Sequence, residues 1–205
     1  MASKKASGWI KEMHKAVEDT AKAGDGSGES IANVAAGGGG AGAASGKKAD
    51  KGSVTGIAKG MKAIVDAAGK AGVEFKPAGA GGADAGRLFA NDAAAGAGAD
   101  AQAQGAAAAA GKAVSAVSGD QILKAIVDAA GSTAAAGAAT NAVEAAIGDD
   151  DGAAFGNGMK KKNQIAAAIV LRGLAKDGKF ANTNDANTKV VAAVKHMHRA
   201  TLRIL

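Results

Sequence analysis

Apolar positions recur along this chain at helical spacing, in short stretches separated by Gly- and Ala-rich connections. Ile10, Met13, Val17 and Ala21 fall on one face of a first helix, with Ser7 placed to cap it. Ile57, Met61, Ile64, Val65 and Ala68 form a second stripe, which Gly69 and Gly72 can stop. Ser118 followed by Gln121 reads as a capping box in front of Ile122, Ile126, Val127 and Ala130. In "MKKKNQIAAAIVLRGLAKDGKF" the centre, Ile165–Ala175, carries a single charge, Arg172. A helix apolar nearly all round is normally buried. Asp177–Gly178 marks its end, whereas the lysines near its start oppose the helix dipole. The spacing predicts a last helix over Thr188–Leu205. Val191, Val194, His198, Leu202 and Leu205 share a face there, beside a basic ridge of Lys195, Arg199 and Arg203. No alternating β-branched run suggests a strand, so the expected class is all-α: a helical bundle-like core with long Gly/Ala-rich loops.

The octapeptide KAIVDAAG occurs twice, at Lys62–Gly69 and at Lys124–Gly131. Each copy reads as the middle of a core helix, with Ile and Val to bury and Lys and Asp to face water. "KAVEDTAK" at Lys15–Lys22 reads as a decayed third copy. Between such segments the chain turns to "AGDGSGES" and "AAGGGGAGAASGKK" over Ala23–Lys51. From Lys76 to about Gln104 it is rich in Gly, Ala and Asp, interrupted only by "RLFA" around Leu88 and Phe89. Pro77 closes off any helix before it. The expected organisation is one domain over 1–205. Residues 1–22 make its first helix and 23–51 a Gly-rich loop, 52–180 the framework helices and variable loops, and 181–205 an atypical C-terminal helix.

Composition tempers the picture of a core. The hydrophobic fraction of 47% comes largely from Ala, with four Phe, one Trp and no Tyr, while Gly numbers 32. An Ala side chain gains far less on burial than the roughly 1.5–3 kcal/mol available to a Leu or Phe. No cysteine is present, which excludes disulfides and thiolate ligands. The longest unbroken apolar run, Ile165–Leu171, is far shorter than the roughly 20 residues of a membrane span. The net charge of +6 admits an acidic partner, but lysines are scattered and aromatics too rare for base stacking, so nucleic acid is not expected.

No catalytic constellation is visible. Gly37–Gly42 formally satisfies G-x-G-x-x-G, yet no strand precedes it, and "GAASGKK" has the wrong spacing and lacks the Ser or Thr of a P-loop. "IGDDDGAAFGNG" in calcium-loop register would begin at Ile147 and end at Gly158, without the bidentate carboxylate, so it reads as a solvated acidic turn. His196 and His198 point in different directions on a helix, leaving His14 as the remaining imidazole. The expected catalytic, cofactor and metal sites are therefore none. Lys160–Lys162 is the densest positive patch. A solvated helix start explains it, and contact with acidic, sulfated glycan is the functional alternative.

Met159–Phe180 closely resembles the sixth invariant region of the Vls variable surface lipoproteins of Lyme disease Borrelia, relatives of the variable major proteins. "GIAKGMKAIVDAAGKAG" (Gly56–Gly72), "GRLFA" (Gly86–Ala90), "KAVSAVSGDQILKAIVDAA" (Lys112–Ala130) and "AAIGDDDGAAFG" (Ala145–Gly156) are similar to framework segments of the same family, in the same order. The resemblance implies a helix-rich outer-surface antigen without enzymatic activity, at the cell outer membrane surface. Its variable segments would be replaced by gene conversion while the framework helices stay constant. It implies host antibodies as partners. Because the centre of Met159–Phe180 reads as buried, the antibody-facing residues expected are Lys160, Lys161, Lys162, Asn163, Lys176 and Lys179. The resemblance does not extend to "ANTNDANTKVVAAVKHMHRATLRIL", nor does the chain show the family's signal peptide or lipid-bearing Cys. Membrane attachment would need such an anchor. Acidic glycans remain an alternative partner, and a homodimer stays open.

Overall fold

A computed structural model of the chain describes residues 2–24, 48–70, 83–89, 100–132, 139–148 and 157–181, together with Ala192, Lys195, His196 and Arg199. Six α-helices run through the described residues. They are α1 (Ala2–Ala23), α2 (Lys51–Lys70), α3 (Asp100–Ser115), α4 (Gly119–Ala129), α5 (Ala142–Ile147) and α6 (Lys162–Leu174), with 3-10 turns at Ala83–Phe89 and Asn157–Met159. No strand occurs among them, and the class is all-α. The predicted helix over Thr188–Leu205 lies mostly outside the described residues. The four described there are helical and exposed, Lys195 and Arg199 of the basic ridge among them.

The centre of the fold is α6, which packs against α2, α3, α4 and α5. Every residue from Ile165 to Gly173 is buried, as a helix apolar all round requires. Around it, Val54 and Ile57 of α2, Val114 of α3, Ile122 and Ile126 of α4 and Val143 of α5 close a single hydrophobic cluster. The apolar island in "RLFA" belongs to it, since Leu88 and Phe89 are fully buried in the 3-10 turn.

α3 carries no large apolar stripe, and its first turn falls within the connection expected from Lys76 to about Gln104. Ala has the highest helix propensity, so a run of alanines forms helix without visible periodicity. Its buried face, Ala106, Ala107, Ala110, Ala113 and Val114, appears only once neighbours are in place.

The stripe expected to bury α1 does the opposite. Ile10, Met13 and Val17 are 63%, 37% and 54% exposed, and Ala21 is exposed too. α1 instead packs on α2 through its small residues Ala16, Thr20 and Ala23. The close approach depends on Gly60 of α2, where a Cβ would collide with the Thr20 side chain.

The entry to α2 is tied down by polar groups that hydrophobic patterning does not reveal. The Asp50 carboxylate accepts from Ser53 N at 2.7 Å, capping the helix. The buried Ser53 hydroxyl donates to the Ala23 carbonyl at the end of α1 and accepts from Lys176 N at 3.0 Å. Ala49 N donates to Ile147 O at 3.1 Å and Asp50 N to Lys176 O at 2.8 Å. The ends of α1, α5 and α6 therefore meet where α2 begins.

The expected capping box at α4 forms: Ser118 N donates to Gln121 Oε1 at 3.1 Å, the Ser118 side chain meets the Gln121 backbone N–H, and its hydroxyl also donates to the Asp120 carboxylate. The two octapeptides share their outer face and differ in their inner one. Lys62–Asp66 and Lys124–Asp128 form the same i,i+4 pair, at 2.7 and 2.9 Å. Ile126 is fully buried, whereas Ile64 and Val65 are only half-buried. α2 places Val54, Ile57 and Ala58 in the core, and its copy of the repeat lies in the half beyond them. The Lys15–Asp19 pair, at 2.9 Å, continues the pattern in α1.

Candidate functional site

The segment 157–181 threads the core and surfaces at both ends. Its first turn is capped without a side-chain acceptor, because Lys161 occupies the N-cap position. Lys160 and Lys161 stand exposed there and Lys162 is half-buried. Asn163, expected among the exposed residues, is instead 4% exposed. In the first turn of a helix packed on α4, its side chain faces inward, and Nδ2 donates to Gln121 O at 3.4 Å. At the far end Lys176 is exposed and Lys179 half-buried, with both backbones held by the core. The expected set thus divides into exposed, half-buried and buried members at the two ends of one buried helix.

The helix ends at Leu174, and the left-handed residue of the following turn is Asp177, at φ 63, not the glycine after it. An Asp accepts that conformation at modest cost. The turn lets the chain double back, so that Phe180 and Ala181 are buried and Ala181 N donates to Leu88 O at 2.9 Å.

Arg172, the lone charge of the helix centre, is fully buried. Its Nε and Nη2 donate to Lys179 O at 3.2 and 3.0 Å, and Nη1 reaches Ala146 O at 3.4 Å. The guanidinium lies 5.5 Å from the Phe89 ring centroid, a cation–π contact, and Phe89 meets Phe180 edge-on at 5.6 Å. One side chain thereby joins α5, α6, the 3-10 turn and the returning chain. Gly148 makes room for it: at φ 75 it takes a conformation that suits glycine, and a Cβ there would collide with Nη1.

Asn141 caps α5, its Oδ1 accepting from Val143 N and Glu144 N, each at 3.1 Å. Thr140 donates to the Glu144 carboxylate from its backbone N–H at 2.8 Å and from its hydroxyl at 2.7 Å. Burial pushes the Glu144 carboxyl up. The hydrogen bonds from Thr140 and Asn141 outweigh it and hold the group below the ordinary carboxylate value. Sequence reasoning missed α5, although Asn141 followed by Glu144 is a legible N-terminal signal.

Between the end of α4, the start of α5 and the start of α6 lies a cavity of about 150 Å³. Asp128, Asn141, Lys161, Asn163 and Gln164 bring polar groups to it, and alanines of α4 and α5 line the rest. Asn163 Oδ1 and Gln164 Oε1 are buried and have no hydrogen-bond partner. An unmade buried hydrogen bond costs about 1–3 kcal/mol.

Among the described residues no group of three or more His, Asp or Glu could hold a metal ion. No helix among them is long and apolar enough to cross a membrane. His14 lies 3.5 Å from Glu18 on α1 and His196 is exposed, while His198, the Gly37–Gly42 run and Asp149–Asp151 lie outside the described residues.

Comparison with known proteins agrees with this architecture. No curated protein matches the chain. Among solved structures it is similar to the Lyme disease variable surface antigen VlsE of Borrelia burgdorferi, at 42% sequence identity and a TM-score of 0.80. The match covers 98% of this chain and 74% of that one. A family model described as Borrelia lipoprotein matches residues 2–201. Both relatives are described as surface molecules or lipoproteins and not as enzymes. With the helical framework, the buried central helix and a match over nearly the whole length in agreement, the chain belongs to the Borrelia lipoprotein family.

Proposed function

We propose that this protein is an antigenically variable outer-surface protein. Replacement of its Gly/Ala-rich connections changes the face shown to host antibodies, while the helical framework stays constant. The observation that carries the reading is its relation to VlsE: at 42% identity most aligned residues differ, yet the folds agree at a TM-score of 0.80. Burial supports the same division of labour. Ile122, Ile126, Ile165, Ile169 and Leu171 are fully buried, and truncating such residues costs roughly 2–5 kcal/mol. Substitutions on an exposed surface stay within about ±0.5 kcal/mol. Antibodies raised by the folded protein against Met159–Phe180 reach its exposed lysines, Lys160, Lys161 and Lys176, and not Asn163.

Serial sequencing of clones from an infected host, beside clones kept in culture, tests the reading. Changes should cluster in Ala23–Lys51 and Lys76–Gln104 in the host set, with Met159–Phe180 and both octapeptides constant. An unchanging region in both sets refutes it.

The exposed pair Lys160 and Lys161 also favours a second reading, in which the start of α6 binds acidic glycan. Salt-sensitive retention on heparin should then vanish when Lys160, Lys161 and Lys162 are all changed to Ala. Retention unaltered by that change removes the reading.

A further inference from the structure

The first turn of α6 is weakly secured for a helix so deeply buried, and the causes are independent of one another. Its N-cap, Lys161, offers no side-chain acceptor to the first N–H groups. Lys160, Lys161 and Lys162 set positive charge against the positive end of the helix dipole. Asn163 Oδ1 and Gln164 Oε1 are buried without a hydrogen-bond partner, and the bond from Asn163 Nδ2 to Gln121 O is long, at 3.4 Å. The anchors on either side are firm. Met159 and Ile165 are fully buried, and Gly158 lies so close to the Thr140 backbone that a Cβ would collide with it.

We propose that residues 160–164 form a strap between these anchors, whose helical turn, Lys162–Gln164, swings off α4 far more often than the rest of the fold opens. Opening gives both amide oxygens water and takes the lysines away from the dipole. It loses one long side-chain bond and a single turn of helix. Beyond that point the balance reverses: every residue from Ile165 to Gly173 is buried, so further unwinding would expose the core. The hinge therefore lies at Ile165. In the open strap half-buried Lys162 joins exposed Lys160 and Lys161 as one mobile basic run. The inference stands apart from both readings above, since it holds whether an antibody, an acidic glycan or neither meets that run.

Amide hydrogen exchange of the full chain, followed by nuclear magnetic resonance, tests the strap. By helix geometry Ala166, Ala167 and Ala168 donate to the carbonyls of Lys162, Asn163 and Gln164. The open strap frees these amides while those of Ile169, Val170 and Leu171 stay bonded. The alanine amides should exchange about tenfold faster, or more, than the group that follows. Lys161→Asp changes an exposed residue, supplies a cap and places favourable charge on the dipole, and should slow the alanine amides by about tenfold. Asn163→Leu removes an oxygen that the closed turn leaves without a donor, and should slow them about threefold or more. Equal rates from Ala166 to Leu171, or fast alanine amides that Lys161→Asp fails to slow, overturn the proposal. Faster exchange in a folded Asn163→Leu variant also overturns it, by making that amide the clamp of the turn. If that variant fails to fold, Lys161→Asp alone decides.

Discussion

Three helices present the same Lys-Ala-(Ile/Val) register to three different environments, which makes a controlled experiment in burial. Val17, Ile64 and Ile126 occupy equivalent positions, each followed two residues later by the Asp of an i,i+4 pair with the preceding Lys. Val17 is 54% exposed, Ile64 is half-buried and Ile126 is fully buried. Truncating a fully buried Ile removes its transfer free energy and leaves a cavity against α6, for a cost of about 2–5 kcal/mol. At half burial, little cavity remains, and Ile64→Ala should cost about 1 kcal/mol. Val17→Ala removes surface already in water and should fall within about ±0.5 kcal/mol. Urea titration of the three variants, read by far-ultraviolet circular dichroism, gives the costs from midpoints at constant m-value. In thermal melts, at roughly 2–4 °C per kcal/mol for a chain of this size, a 3 kcal/mol loss at Ile126 lowers Tm by about 6–12 °C. Equal losses at Ile64 and Ile126, or a loss at Val17 rivalling either, would refute the inference that position in the fold decides what the repeat contributes.

Removing the Arg172 guanidinium strands the carbonyls of Lys179 and Ala146, so Arg172→Ala should destabilise by roughly 3–5 kcal/mol in urea titration. Arg172→Lys should recover little of this, because a point charge cannot reproduce the planar fork or lie over Phe89 in the same way. The Glu144 carboxyl is held below its ordinary value, so its contribution to stability is present above about pH 4.5 and lost as pH falls through the depressed folded value. Glu144→Gln should accordingly flatten the acid limb of a stability-against-pH curve, and an unchanged limb would contradict the Thr140 hydrogen bonds. Gly60→Val should force α1 off α2 at a cost of about 1–3 kcal/mol. Hydrogen exchange should show the loss in α1 while α6 stays protected.

The central helix was legible because eleven residues with one charge leave a helix no side on which to face water. α4 was legible from its cap and its stripe together. α3 was not, because its buried positions are nearly all alanine and make no stripe of large apolar residues. α1 misled for a related reason: the side chains that approach α2 are Ala16, Thr20 and Ala23, while the larger apolar ones look outward. Hydrophobic patterning ranks residues by size and so missed an interface built on closeness. The exposed lysines at the ends of the central segment were readable from charge. The burial of Asn163 was not, since an amide inside a core is set by the packing of α6 on α4 and by the Gln121 carbonyl. The cavity beside it arises from three elements distant in sequence, which no local pattern encodes.

The Ser53 hydroxyl, bonded at once to the Ala23 carbonyl and the Lys176 amide, works as a clasp on the mouth of the connection that leaves α1. The clasp brings the end of α1 and the start of α2 to one spot, so the separation that the intervening chain has to span is set by the two helices and not by that chain's length. Joining two fixed points by a flexible chain costs only about 0.6 kcal/mol more each time the chain doubles in length. Insertions and deletions between α1 and α2 should consequently be cheap and leave the geometry of both helices unchanged.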